Sequence, residues 1–195
     1  AFYALPDELK QRFAYSGDLN VSGNGYELKL NHESGDLKED FHLRVAVREW
    51  LYEQARNVDD VVTPRFIEKA LALTAHMTGM LRTFAEAVEV ECGIEGFADD
   101  VMARQPFWLL RFLHYFGDRK PGDIFAAPHV DKGGFTLHLY ESHDGVESMD
   151  FETREWKPLP VSHEQTAIFA GLGLQQRSKC DLRALAHRVV ATEES

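Results

Sequence analysis

From Phe107 onward the chain is cut into short apolar or alternating runs by clusters of Gly, Pro, Asp and Lys, such as Gly117-Asp118-Arg119-Lys120-Pro121-Gly122-Asp123. Runs this short bury their apolar side chains more readily as strands joined by tight turns than as helices. This half is therefore expected to be an antiparallel barrel or sandwich. The preceding half reads differently. Thr63-Pro64 offers a helix start, with threonine as cap and proline in the first turn, and Gly93 offers a stop after Cys92. Between them Phe66, Ala70, Leu73, Met77, Leu81, Phe84 and Val88 recur at three and four residues, one apolar stripe that predicts core packing against a sheet. Further upstream, Leu5 to Phe13 reads as the end of a helix, Ser16 to Asn24 as a loop and Glu27 to Leu30 as a short strand. Asp36 to Val47 has mixed charges and no clear period.

A chain of 195 residues suits a single α+β domain, here mainly helical over 1–105 and sheet-forming over 106–195. Its 21 basic and 32 acidic residues give a net charge of -11, which disfavours binding to a nucleic-acid backbone and makes a small molecule the default substrate. No apolar run approaches the roughly 20 residues that cross a membrane. Cys92 and Cys180 are far apart in sequence and lack CxxC spacing, so neither a disulfide framework nor a zinc ribbon is expected, and a reducing cytoplasm is the simpler setting.

One constellation carries chemistry. His129-Val130-Asp131 enters a stretch of alternating polarity, in which residues two apart face the same way and could converge on one metal ion. His187 precedes the β-branched pair Val189-Val190, and a neighbouring antiparallel strand would bring it alongside. Two imidazoles and one carboxylate on one triangular face, with no thiolate, suit Fe(II) better than structural zinc and leave three positions open.

Around these residues the chain resembles the non-haem Fe(II), 2-oxoglutarate-dependent dioxygenases of the isopenicillin N synthase-like group. Leu110-Arg111-Phe112-Leu113-His114-Tyr115-Phe116, Trp156 to Val161, Ile168 to Gln175 and His187-Arg188-Val189-Val190 match in order. Ala4 to Lys10, Gly25-Tyr26 and Lys38-Glu39-Asp40-Phe41 match more loosely. The resemblance implies a double-stranded β-helix, or jelly roll, buttressed by helices. It implies iron ligation by His129, Asp131 and His187, 2-oxoglutarate as cosubstrate in contact with Tyr115, and dioxygen as oxidant. The implied reaction hydroxylates or otherwise oxidises a small molecule and releases succinate and CO2. A cosubstrate-independent iron oxidase of the same fold, or an inactive metal-binding jelly roll, are the alternatives. The family's Arg-x-Ser grip on 2-oxoglutarate would fall beyond Ser195, so the sequence is expected to be an excerpt truncated at both ends, or else a genuinely shortened chain.

Other candidates weigh less. Arg188 follows His187 directly and would face away from the metal in a structural role. His138 is nine residues from His129 and seven from Asp131, so unbroken alternation would turn it outward. His114, His143 and His163 are likewise read as non-ligands.

Overall fold

The computed structural model describes residues 2–15, 23–31, 36–159 and 165–193, and these group into two compact units. The first comprises residues 1–30, 38–89 and 95–115. A 3-10 turn, Phe2–Ala4, leads into α1 (Asp7–Gln11), followed by β1 (Gly25–Asn31), β2 (Asp36–Leu43) and α2 (Arg48–Arg56). Next come α3 (Val62–Cys92), α4 (Phe97–Ala103) and β3 (Leu110–Tyr115). The strands form one sheet in the order β1-β2-β3, and β2 runs antiparallel to β3 with Lys38 opposite Tyr115 and Leu43 opposite Leu110.

The core of this unit is aromatic. Phe41 lies 4.8 Å from Phe2 and 5.0 Å from Phe66 between ring centroids, both edge-on, and Phe13, Leu51 and Ile67 are fully buried around them. Each such side chain contributes about 1.5–3 kcal/mol from burial, and edge-on ring pairs add a little more.

Helix α3 occupies the expected stretch, but its buried stripe is rotated by one residue. Thr63, Ile67, Ala70, Thr74, Leu81, Ala85, Val88 and Cys92 are buried, whereas Phe66, Leu73, Met77 and Phe84 flank them half-exposed. Small side chains let the helix backbone approach its neighbours, and the larger ones reach around its sides. The cap also differs: Asp60 accepts hydrogen bonds from the Val62 and Thr63 N–H groups and from the Thr63 hydroxyl. A carboxylate there also meets the positive end of the helix dipole.

Strand β2 was illegible as a period because it buries charge. Glu39, Asp40 and His42 are each at least nine-tenths buried, so polarity does not report which face is inside.

The second unit comprises residues 31–37, 90–94 and 116–195. Its strands are β4 (Ile124–His129), β5 (Phe135–His138), β6 (Val146–Met149), β7 (Trp156–Pro158), β8 (Ala167–Ala170) and β9 (His187–Val190). They form a four-stranded sheet in the order β4-β9-β6-β7 and a two-stranded sheet of β5 and β8, with the neighbours in each antiparallel. Helix α5 (Leu172–Arg177) follows β8 directly. His163, the Pro160-Val161 end of the tryptophan-bearing motif and residues 16–22 of the expected loop lie outside the described residues.

Two expectations are corrected here. The alternating stretch that His129-Val130-Asp131 enters is not continuous: His129 ends β4, a bend over Lys132–Gly134 intervenes, and β5 begins at Phe135 in the other sheet. The alternation that was to turn His138 outward therefore does not carry across. Within β5, His138 lies two residues from Thr136 and shares its face. Second, Cys92 and Cys180 form a disulfide, with their Cα atoms 4.8 Å apart despite 88 residues of sequence separation. The end of α3 and the segment before β9 meet in space, and Lys179 N–H donates to the Cys92 carbonyl beside the bridge. The inference of a reducing compartment rested on separated thiols, and that support is removed.

Arg188 faces away from the histidine side of β9. It donates to Glu147 at 2.6 Å on the adjacent strand, and its guanidinium lies 4.5 Å from the centre of the Trp156 ring. No helix is long and apolar enough to cross a membrane among the described residues.

Candidate metal centre

His129, Asp131 and His187 come together in the second unit, and one donor atom from each lies within 4.8 Å of the others. The strand pairing explains this. β9 inserts between β4 and β6, and its first residue, His187, stands directly opposite His129, the last residue of β4. Side chains of facing residues lie on one side of a sheet, and here the two imidazole centroids are 4.3 Å apart.

Backbone carbonyls fix which nitrogen is available. The Nδ1–H of His129 donates to the Ala127 carbonyl at 2.8 Å, and the Nδ1–H of His187 to the Leu185 carbonyl at 3.2 Å. Each ring thereby leaves its Nε2 lone pair to a metal. Burial lowers the pKa of His187, with the Leu185 carbonyl opposing the shift only in part, so its neutral, ligating form is favoured.

Asp131 is positioned by the loop rather than by a strand. Its Oδ1 lies 3.9 Å from His129 Nε2, and its Oδ2 accepts a hydrogen bond from the Thr136 hydroxyl. The loop is clamped by the turn between β8 and α5. Leu172 N–H donates to the Asp131 carbonyl at 2.8 Å, Gly173 N–H to Gly133 at 2.9 Å and Gly171 N–H to Gly134 at 2.9 Å. A Cβ on Gly171 would stand 2.4 Å from the Gly133 carbonyl oxygen and 2.9 Å from that of Asp131. Gly171→Ala is accordingly expected to cost about 1–3 kcal/mol of stability and to weaken Co(II) binding; thermal melts and metal titration check the two effects together.

Sequence reasoning missed Thr136 and the Phe169 ring, which lies 5.0 Å from His187. Nothing in a lone threonine five residues after an aspartate advertises a contact. The glycine turn was visible only through the family resemblance.

Tyr115 closes β3 in the first unit, half-buried, with the Lys38 ammonium 5.6 Å from its ring centre. His138 does not join the ligand set; its Nε2 lies 3.2 Å from Glu141. His114 shares a hydrogen bond with Glu39 at 2.8 Å, and His143 pairs with Ser142. A second cluster, Glu27, Asp40 and His42, has the spacing of a cation site. The Lys29 ammonium already serves it, 3.1 Å from Asp40 and 3.3 Å from Glu27, so it is read as an internal ion cluster.

No family model matches the chain. The 2-oxoglutarate-dependent dioxygenase citB of Monascus ruber is 26% identical over 213 residues, covering 97% of this chain and 63% of that protein. Clavatol oxidase claD of Penicillium crustosum is 32% identical over 96 residues, 47% of this chain and 28% of that protein. The likeness to a curated 2-oxoglutarate-dependent dioxygenase runs over nearly the whole of this chain, the stretch with the His-Asp-His cluster included. The chain is similar to 2-oxoglutarate-dependent dioxygenases. Solved structures agree on the fold. A full-length Neurospora crassa protein solved in complex with alpha-KG superposes with a TM-score of 0.75 at 21% identity, covering 100% of this chain and 63% of that one. The rice dioxygenase for auxin oxidation gives 0.71 at 22% identity, over 98% and 61%. The chain spans less than two thirds of the length of each of these proteins.

Proposed function

We propose that the protein is an Fe(II)- and 2-oxoglutarate-dependent oxygenase acting on a small molecule, with His129, Asp131 and His187 as the iron ligands and Tyr115 as a contact to the cosubstrate. The observation that carries this reading is the donor set: two Nε2 atoms whose tautomers are fixed by carbonyls, one carboxylate oxygen beside them, and no thiolate. The donors lie within 4.8 Å of one another, wider than the roughly 3 Å separations that metal bonds near 2.1 Å impose. The strand order β4-β9-β6-β7, together with the β5-β8 pair, supports a jelly roll as the enclosing fold.

When bound, Fe(II) with 2-oxoglutarate and dioxygen supplies oxidative decarboxylation to succinate and CO2, coupled to oxidation of a substrate C–H bond. The chain's own residues supply orientation. The Ala127 and Leu185 carbonyls hold the imidazole planes, Thr136 holds the carboxylate, and Phe169 covers one side of His187 against water. A three-donor face leaves further positions for chelation by a 2-oxo acid.

The test is a turnover assay with iron, 2-oxoglutarate and candidate substrates, reading oxygen uptake and succinate together. Stoichiometric succinate supports the proposal. Oxygen uptake without succinate points instead to a cosubstrate-independent oxidase, and metal binding with neither product to an inactive module.

A further inference from the structure

We infer that Thr136 is a positioning residue that keeps Asp131 a one-oxygen ligand of the metal centre. This rests on the reading of His129, Asp131 and His187 as the ligand set. The carboxylate has two oxygens and the structure gives them different work: Oδ2 accepts the Thr136 hydroxyl, and Oδ1 is the oxygen near His129 Nε2. A carboxylate free of that hydrogen bond can swing to present both oxygens to a cation. Doing so would consume a fourth coordination position and leave two open rather than three, too few for a chelating oxo acid and dioxygen together. The hydroxyl therefore protects the number of open positions at the site.

The placement of Thr136 makes the restraint stiff. Thr136 pairs directly with Phe169 in the β5–β8 ladder, so their side chains share a face of that sheet. Phe169 meets His187 at 5.0 Å, while Thr136 meets Asp131. One rung of the smaller sheet thus touches the carboxylate ligand with one side chain and the distal histidine with the other. The loop that carries Asp131 is held by three backbone hydrogen bonds from residues 171–173. Asp131 lies outside the strand ladder that pairs His129 with His187, and this rung links it to His187 through side chains.

The experiment uses Co(II), whose visible spectrum reports coordination number, and Mn(II), bound in competition. Thr136→Val keeps the shape and removes the donor; Thr136→Ser keeps the donor. We expect T136V to weaken Co(II) binding about 10–100-fold and to change the band positions and intensities. T136S should bind within about threefold of the parent with the parent spectrum, as a retained hydroxyl requires. Metal-free melts should change little for either variant. Equal affinity and an unchanged spectrum in T136V overturn the inference, as does equal loss in both variants, which assigns the effect to packing. If T136V does not fold, T136A carries the same comparison. Failure of the parent to bind Co(II) at all removes the ligand-set reading itself, an outcome distinct from parent-like binding by T136V.

Discussion

Replacing Asp131 with alanine is expected to lower divalent-metal affinity by more than about 100-fold, beyond what loss of a supporting hydrogen bond costs, while leaving the metal-free fold intact. The side chain is half-exposed on a loop, and the partner it would leave behind is the Thr136 hydroxyl. Two imidazoles alone cannot define a three-donor face, and turnover should be abolished. Metal stoichiometry by elemental analysis, together with succinate release, checks the result. Retained iron and retained turnover would remove Asp131 from the ligand set. A pH titration adds an independent reading. Ligation needs neutral imidazoles, and burial holds the His187 pKa below its ordinary value. His187 is therefore expected to stay neutral and available to a metal into mildly acidic solution, and to lose that availability only as pH falls through the lowered value.

The second large effect lies in the first unit, where Glu39 is the hub of a buried charge cluster. Lys10 donates to it at 2.7 Å, the Tyr26 hydroxyl at 2.7 Å, and His114 Nδ1 lies at 2.8 Å. Asp7 adds a second contact to Lys10 at 3.0 Å, and the Tyr3 ring stacks on His114. Burial alone would raise the Glu39 carboxyl, but the hydrogen bonds from Lys10, Tyr26 and His114 outweigh it and hold the pKa below the usual value. For Lys10 burial pulls the other way, and its bonds to Glu39 and Asp7 leave the pKa raised. Tyr26, desolvated and bonded to Glu39, is pushed up to about 12.

Glu39→Gln or Lys10→Met is expected to cost about 1.5–3 kcal/mol, the worth of a hydrogen bond to a charged group, because Lys10 keeps Asp7 and Glu39 keeps Tyr26 and His114. The double variant Lys10→Met/Glu39→Gln should cost less than the sum, since the interaction between the two charges is lost only once. Urea melts of the four proteins test this; strictly additive losses would show that the pair does not act as a unit. The pH window follows from the shifts. The Glu39 contribution is present above the ordinary carboxyl pKa of 4.5 and is lost as pH falls through the lowered value. The Lys10 contribution is present below its ordinary 10.5 and is lost as pH rises through the raised one. The cluster should therefore stabilise the fold across the whole neutral range and fail at both extremes.

Particular residues show how far the sequence could be read. The three loose N-terminal matches to the family, ending at Lys10, holding Gly25-Tyr26 and holding Lys38-Glu39, are scattered over the first 41 residues. They meet in one hydrogen-bonded cluster, which no local pattern reveals because its members lie 13 to 29 positions apart. Charge buried in β2 also erased the alternation that would have announced the strand. In α3 the helix was plain from its period, but the choice between Phe66 and Ile67 as the inward face was not, because both rows are apolar. The cysteines were misread because 88 residues of separation carry no distance information.

By itself the sequence determined the long helix from Thr63 to Cys92, the strand-rich second half, and a candidate ligand set of two imidazoles and one carboxylate. These follow from local periodicity, turn chemistry and residue type, all of which survive in one dimension. Only the tertiary structure decided that β9 inserts between β4 and β6, that His129 faces His187, and that Asp131 sits on a loop clamped by residues 171–173. It alone decided that Thr136 restrains Oδ2 and that Cys92 meets Cys180. Those are relations between distant segments, set by strand order and by close-packing of backbones, and neither leaves a signature in the spacing of residues along a chain.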